Sequence, residues 1–192
     1  MTFLSSFGSR ALPLAAALFS FAGAVQAQYL WLQREGPVFE ARLGELGKSS
    51  QPLAIPGATA APAADGDLRM VTSRIDNTSG APALIHYQAR FGRAETKAVN
   101  DLELVPTEPD GNTFKLVWKG NTVPASQVNV DTSEGWRRVL KPARDGTVTL
   151  GTPFPGLYLL EVTARVDGAV TVDGKKYEDV RHTATLSFEV PR

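Results

Sequence analysis

The 192-residue sequence holds two histidines and no cysteine, so any imidazole or borderline-metal chemistry rests on His86 and His182. His182 stands in RHTATLSFEV and shares parity with Ala184, Leu186, Phe188 and Val190. On a strand, that parity puts the ring on the inward face at the strand's beginning. His86 stands in ALIHYQARF with Leu84, Gln88 and Arg90, opposite the apolar set Ile85, Tyr87, Ala89 and Phe91. That alternation predicts a ring facing outward. Nothing resembles two histidines at i, i+4, so a metal site has to converge through the tertiary fold. Glu178 and Asp179, with Tyr177 in DGKKYEDV, are the groups able to join His182, a solvated charged hairpin being the structural alternative. Tyr29 and Trp31 share a face opposite Leu30 and Leu32, which suits either a sugar-stacking platform or buried core.

Hydrolase signatures are missing. The serines lie in TSR, TSG, ASQ, TSE and LSF, none of them a nucleophile elbow, and two histidines leave little room for a triad. The acidic string NDLELVP reads as an alternating strand rather than a pair of glycosidase carboxylates. The expectation is a protein that is not an enzyme, with no catalytic residue.

These residues must be held by β-structure, because alternation of period two dominates and no amphipathic helical pattern persists beyond a turn or two. Residues 1–27 read as a cleavable signal peptide: Arg10 supplies the positive region, ALPLAAALFSFAGAV the apolar run, and VQA the small residues before cleavage. That predicts an exported, periplasmic protein with no direct membrane insertion after signal removal. Lys plus Arg and Asp plus Glu are equal at 20 each, so no global field favours nucleic acid. Without cysteine, stability rests on packing alone.

Strands are predicted over 29–33, 38–43, 68–75, 83–91, 102–106, 113–118, 127–131, 137–140, 147–150, 157–166 and 183–190. Turn signals such as DNTSG, EPDGN, RDG, PFPG and VDG divide them. Short strands at close spacing predict an all-β sandwich. Its expected organisation is an N-terminal β region over 28–98, with a flexible Ala/Pro/Gly-rich loop at 47–67, and a C-terminal β-sandwich module over 99–192. In that module Phe114, Leu116 and Trp118 form one inward set, and Tyr158, Leu160, Val162, Ala164 and Val166 another.

Several strings in order, QYLWLQREG, FEARLGE, DLELVP, TFKLVW, TSEGWRRVL, DGTVTLGTPFPGLYLLEV and DGKKYEDVRHTATLSF, resemble the periplasmic bacterial family called domain of unknown function 4198 (DUF4198). That family is also described as periplasmic components of nickel uptake or cobalt transport. The resemblance spans nearly the whole mature chain, weakest in the middle. It implies an immunoglobulin-like or carboxypeptidase-regulatory-like C-terminal module, binding of a divalent transition metal (nickel, cobalt or zinc), and a metal-uptake membrane transporter as partner. Proteins of this kind commonly begin with histidine in an A-H-Y-L-W context, where the terminal amine and imidazole chelate a metal. Gln28 occupies that position here, and its amide oxygen is a poor ligand beside imidazole. The implied metal set is therefore His182, His86, Glu178 and Asp179, with Gln28, Tyr29, Trp31 and Tyr177 as binding residues. A non-catalytic interaction module for an envelope protein or glycan is the alternative reading.

Overall fold

The computed structural model describes residues 28–48, 50–54, 67–77 and 80–192. The signal-peptide reading of 1–27 lies outside these residues, as does much of the loop predicted at 47–67. The described chain is all-β, as the alternation predicts, with fifteen strands.

A six-stranded sheet forms the middle layer. Its spatial order is β10 (Arg137–Leu140), β9 (Val128–Thr132), β12 (Gly156–Val166), β15 (Asp179–Val190), β5 (Ala83–Phe91) and β4 (Leu68–Asp76). This sheet takes β4 and β5 from the N-terminal region and the other four strands from the C-terminal one. β5 and β15 run parallel, and their register sets His86 directly beside His182. The remaining neighbours in the sheet are antiparallel.

Each face of this sheet is covered. A four-stranded sheet lies on one side: β6 (Leu102–Pro106), β7 (Thr113–Trp118) and β11 (Thr147–Thr149), with β8 (Asn121–Val123) beside β7. Leu102, Leu104, Phe114 and Leu116 meet Tyr158, Leu160, Val162, Ala184, Leu186 and Phe188 in one core. Fully burying each Leu or Phe contributes about 1.5–3 kcal/mol, so this cluster is the main support of the fold. On the opposite side lie β1 (Tyr29–Glu35), β2 (Val38–Gly44) and β3 (Ser50–Leu53), whose Leu30, Leu32, Ala41 and Leu43 pack on Ile85, Tyr87 and Ala89. Strand β1 docks by its free edge. The buried hydroxyls of Thr185 and Ser187 donate to the carbonyls of Leu30 and Leu32, with Thr185 Oγ1 at 2.6 Å. An unpaired strand edge is thereby satisfied inside the protein.

Three local departures from the predictions have physical causes. Ser50–Leu53, expected within the flexible loop, pairs with the outer edge of β2, where ladder bonds outweigh a weak strand propensity. β15 begins at Asp179 rather than Thr183, because β5 offers it a parallel ladder from Ala83 onward. β13 (Val170–Val172) and β14 (Lys175–Tyr177) form a hairpin around a turn in which Asp173 and Gly174 both have positive φ. Two central residues with positive φ match the right-handed twist of the flanking strands.

Candidate functional site

The site grows from the β5–β15 register. With His86 and His182 at the same level on adjacent strands, both rings rise from one face of the sheet, with centroids 4.6 Å apart and planes inclined by 31°. Trp118, at the end of β7, covers His182 edge-on, with centroids 4.7 Å apart and planes at 86°. β4 is an edge strand whose Val71 and Ile75 are exposed on the parity of Ser73, so the His86 side of the pair borders solvent while His182 is 7% exposed.

Neighbours fix the chemistry of both rings. The backbone N–H of Leu102 donates to Gln88 Oε1 at 3.0 Å, so the Gln88 amide presents its NH₂ to His182 Nδ1 at 3.3 Å. Nδ1 must then accept, and the neutral ring carries its proton on Nε2. The Ser73 hydroxyl lies 2.7 Å from His86 Nδ1 and can donate or accept. Burial pushes the proton affinity of His182 down to about 4, and the adjacent His86 and Lys119 act in the same direction while Asp101 opposes them. His86 is likewise lowered by burial, with Asp101 opposing. Both rings are neutral at pH 7, the form that ligates metals and exchanges hydrogen bonds.

A buried ionic network holds the segment that brings Asp101 to the pair. Arg90, fully buried, is paired with Asp67 and with Glu103, the latter at 3.0 Å. Glu103 also accepts from Arg69 Nε at 2.9 Å and from the backbone N–H groups of Val99 and Asn100, each at 2.8 Å. Gly92 has φ +104°, and a Cβ there would collide with the Asp67 carboxylate. A buried charge needs this many partners to be tolerated.

The residues singled out in the sequence fall in three places. His86 and His182 come together, but the face of β5 carrying His86, Gln88 and Arg90 is not turned to solvent as its polarity predicts: Gln88 and Arg90 are buried under β6, where backbone and carboxylate partners meet them. Glu178 and Asp179 do not join His182. Glu178 is exposed and pairs with Lys176 at 3.1 Å, and Asp179, on the opposite parity of β15, is tied to Arg165 and Arg181. Tyr177 is buried against Leu84 and Val180. Gln28 is exposed at the start of β1, on the far layer. Tyr29 and Trp31 are buried core over Leu159, with Tyr29 Oη donating to Asp131 at 3.0 Å and accepting from the Leu46 N–H at 2.9 Å. Burial raises the proton affinity of that phenol.

Gln88, Ser73, Trp118 and Asp101 escaped the sequence reading. The available signal was the run His86, Gln88, Arg90, three polar residues on one face of an otherwise apolar strand. Comparison with protein-family models, curated proteins and solved structures returned no match.

As a metal centre, the pair supplies the right donor type but few donors. Among the described residues, no group of three or more His, Cys, Asp or Glu is able to hold a metal ion. His86 fits as it stands, since Ser73 can accept from Nδ1–H and leave Nε2 free. His182 fits only after its tautomer changes, which turns the Gln88 amide over and costs its bond from Leu102, about 1–3 kcal/mol.

Proposed function

We propose that this protein is a periplasmic accessory that binds a divalent transition metal (nickel, cobalt or zinc) at His86 and His182 and passes it to a membrane uptake system. The observation that carries the reading is the in-register pair of imidazoles, both uncharged at neutral pH, at a solvent-bordered edge of the sandwich. Asp101 is the carboxylate felt by both rings, and water or the receiving protein completes the coordination. The resemblance to the DUF4198 family supports the same assignment, including its immunoglobulin-like description of the C-terminal module. Few donors and the cost of turning Gln88 favour a micromolar, exchangeable complex, about 8 kcal/mol, over a permanent one.

Calorimetric titration of the metal-free protein with nickel, cobalt and zinc tests it. Saturable binding that His182→Ala and His86→Ala each abolish supports the reading. No saturable binding below about 100 μM removes it.

The second reading, a non-catalytic interaction module of the cell envelope, is favoured by the Gln88 bond, which leaves His182 Nε2 as a donor instead of a ligand. Under it, the rings remain metal-free and a polar ligand accepts from Nε2–H. Protection of the His182 Nε2–H by envelope extract, with no response to metal, is its signature.

A further inference from the structure

We infer that Trp136, Phe154 and Pro155 form a saccharide-binding subsite that stacks on the apolar face of a pyranose ring while Glu134 and Arg192 engage its hydroxyls. These residues line a cleft of about 610 Å³, within the size range of small-ligand sites. The cleft lies beyond the end of β15 opposite His182, eight residues and about 26 Å along the strand, so it stands independently of the imidazole pair.

The corner is built rigidly. Trp136 and Phe154 have ring centroids 6.2 Å apart and planes at 70°, forming two walls of an L. Phe154 is 42% exposed, and its backbone is fastened from below. Tyr158, itself fully buried, donates from Oη to the Phe154 carbonyl at 2.9 Å and accepts from the Phe154 N–H at 3.0 Å. Buried Thr132 does the same for Trp136: its Oγ1 accepts from the Trp136 N–H at 3.0 Å and donates to the Trp136 carbonyl at 3.2 Å. Two aromatic residues whose main chains are each clamped twice lose little freedom on binding, the condition that makes a small contact area productive.

Charge selects the ligand class. The Arg138 guanidinium lies 5.5 Å over the Trp136 ring and so already takes the place an organic cation would occupy there, and Arg192 adds a second positive charge to the cleft. A proline-rich peptide offers the rings a good apolar surface but few N–H donors for the exposed Glu134 carboxylate. A neutral sugar supplies both: C–H groups for the rings, and hydroxyls that donate to Glu134 and accept from Arg192.

Titration of the purified protein with chitotetraose and, separately, cellotetraose, followed by heat and by indole fluorescence, tests the assignment. We expect saturable binding of at least one with Kd below about 1 mM. Phe154→Ala weakens it about tenfold or more, and Glu134→Gln weakens it too while leaving the thermal midpoint unchanged; Val71→Thr, remote from the cleft, leaves affinity unchanged. Absence of saturation by either sugar at about 10 mM overturns the inference. Equal affinity in the wild type and Phe154→Ala overturns it as well, as does tighter binding of a decaproline peptide than of either sugar.

Discussion

Replacing Gln88 by Glu tests how the imidazole pair is tuned. In the wild type, the Leu102 N–H points the Gln88 carbonyl away from His182, so the amide donates to Nδ1 and the ring proton sits on Nε2. Glutamate has the same shape and keeps the acceptor for Leu102, but its second oxygen can only accept. His182 must then carry its proton on Nδ1, and Nε2 becomes a free lone pair. A carboxylate behind a ligating imidazole is the arrangement metal sites ordinarily use, and gaining it is worth about 10–100-fold in affinity, or about 1.4–2.7 kcal/mol. That matches the cost of about 1–3 kcal/mol assigned to turning the amide. The adjacent negative charge also raises the proton affinity of His182 from its depressed value of about 4, so the comparison belongs at pH 8, where the ring is neutral in both proteins. Calorimetry with zinc and nickel gives the affinity, and long-range nitrogen–proton NMR correlation gives the tautomer. A wild-type His182 already protonated on Nδ1, or a Gln88→Glu protein whose tautomer changes while metal affinity stays the same, refutes the reasoning.

Acid unfolding reports His182 directly. Its folded-state proton affinity lies below that of a free imidazole, so the unfolded chain binds more protons, and the stability present above pH 6.5 is lost as pH falls toward about 4. The expected loss is about 3 kcal/mol, and denaturant midpoints of His182→Gln should show a flatter slope across that window. Arg90→Met leaves Asp67 and Glu103 buried without their guanidinium and should cost about 3–5 kcal/mol by urea unfolding; a neutral effect would mean the network is dispensable. Tyr158→Phe removes both clamps on Phe154 and should lower stability by about 1–3 kcal/mol, measured by thermal unfolding at pH 7.

Most strands were legible because their alternation is strong. Ala83–Phe91, Leu102–Pro106, Thr113–Trp118 and Arg137–Leu140 stand where parity and turn residues place them. The inward sets led by Phe114 and by Tyr158 and Leu160 do meet in one core. Short strands such as Asn121–Val123 and Lys175–Tyr177 were not legible, since three residues carry too little pattern and form only against a neighbour. The candidate site was half legible: both histidines were marked, but their meeting was not.

What the sequence determined alone is local: residue chemistry, the period-two alternation that selects β-structure, and the face each strand gives to its apolar residues. Which polar face is buried was decided only by the assembled sheets. His86, Gln88 and Arg90 share a parity that reads as solvent-facing, yet Gln88 and Arg90 are covered because distant groups, the Leu102 N–H and Glu103, supply hydrogen-bond partners. Desolvating a polar side chain is unfavourable until a partner is supplied, and that partner comes from a separate sheet. The parallel register of β5 and β15, set by long-range ladder bonds, is likewise what brings the two imidazoles to one level.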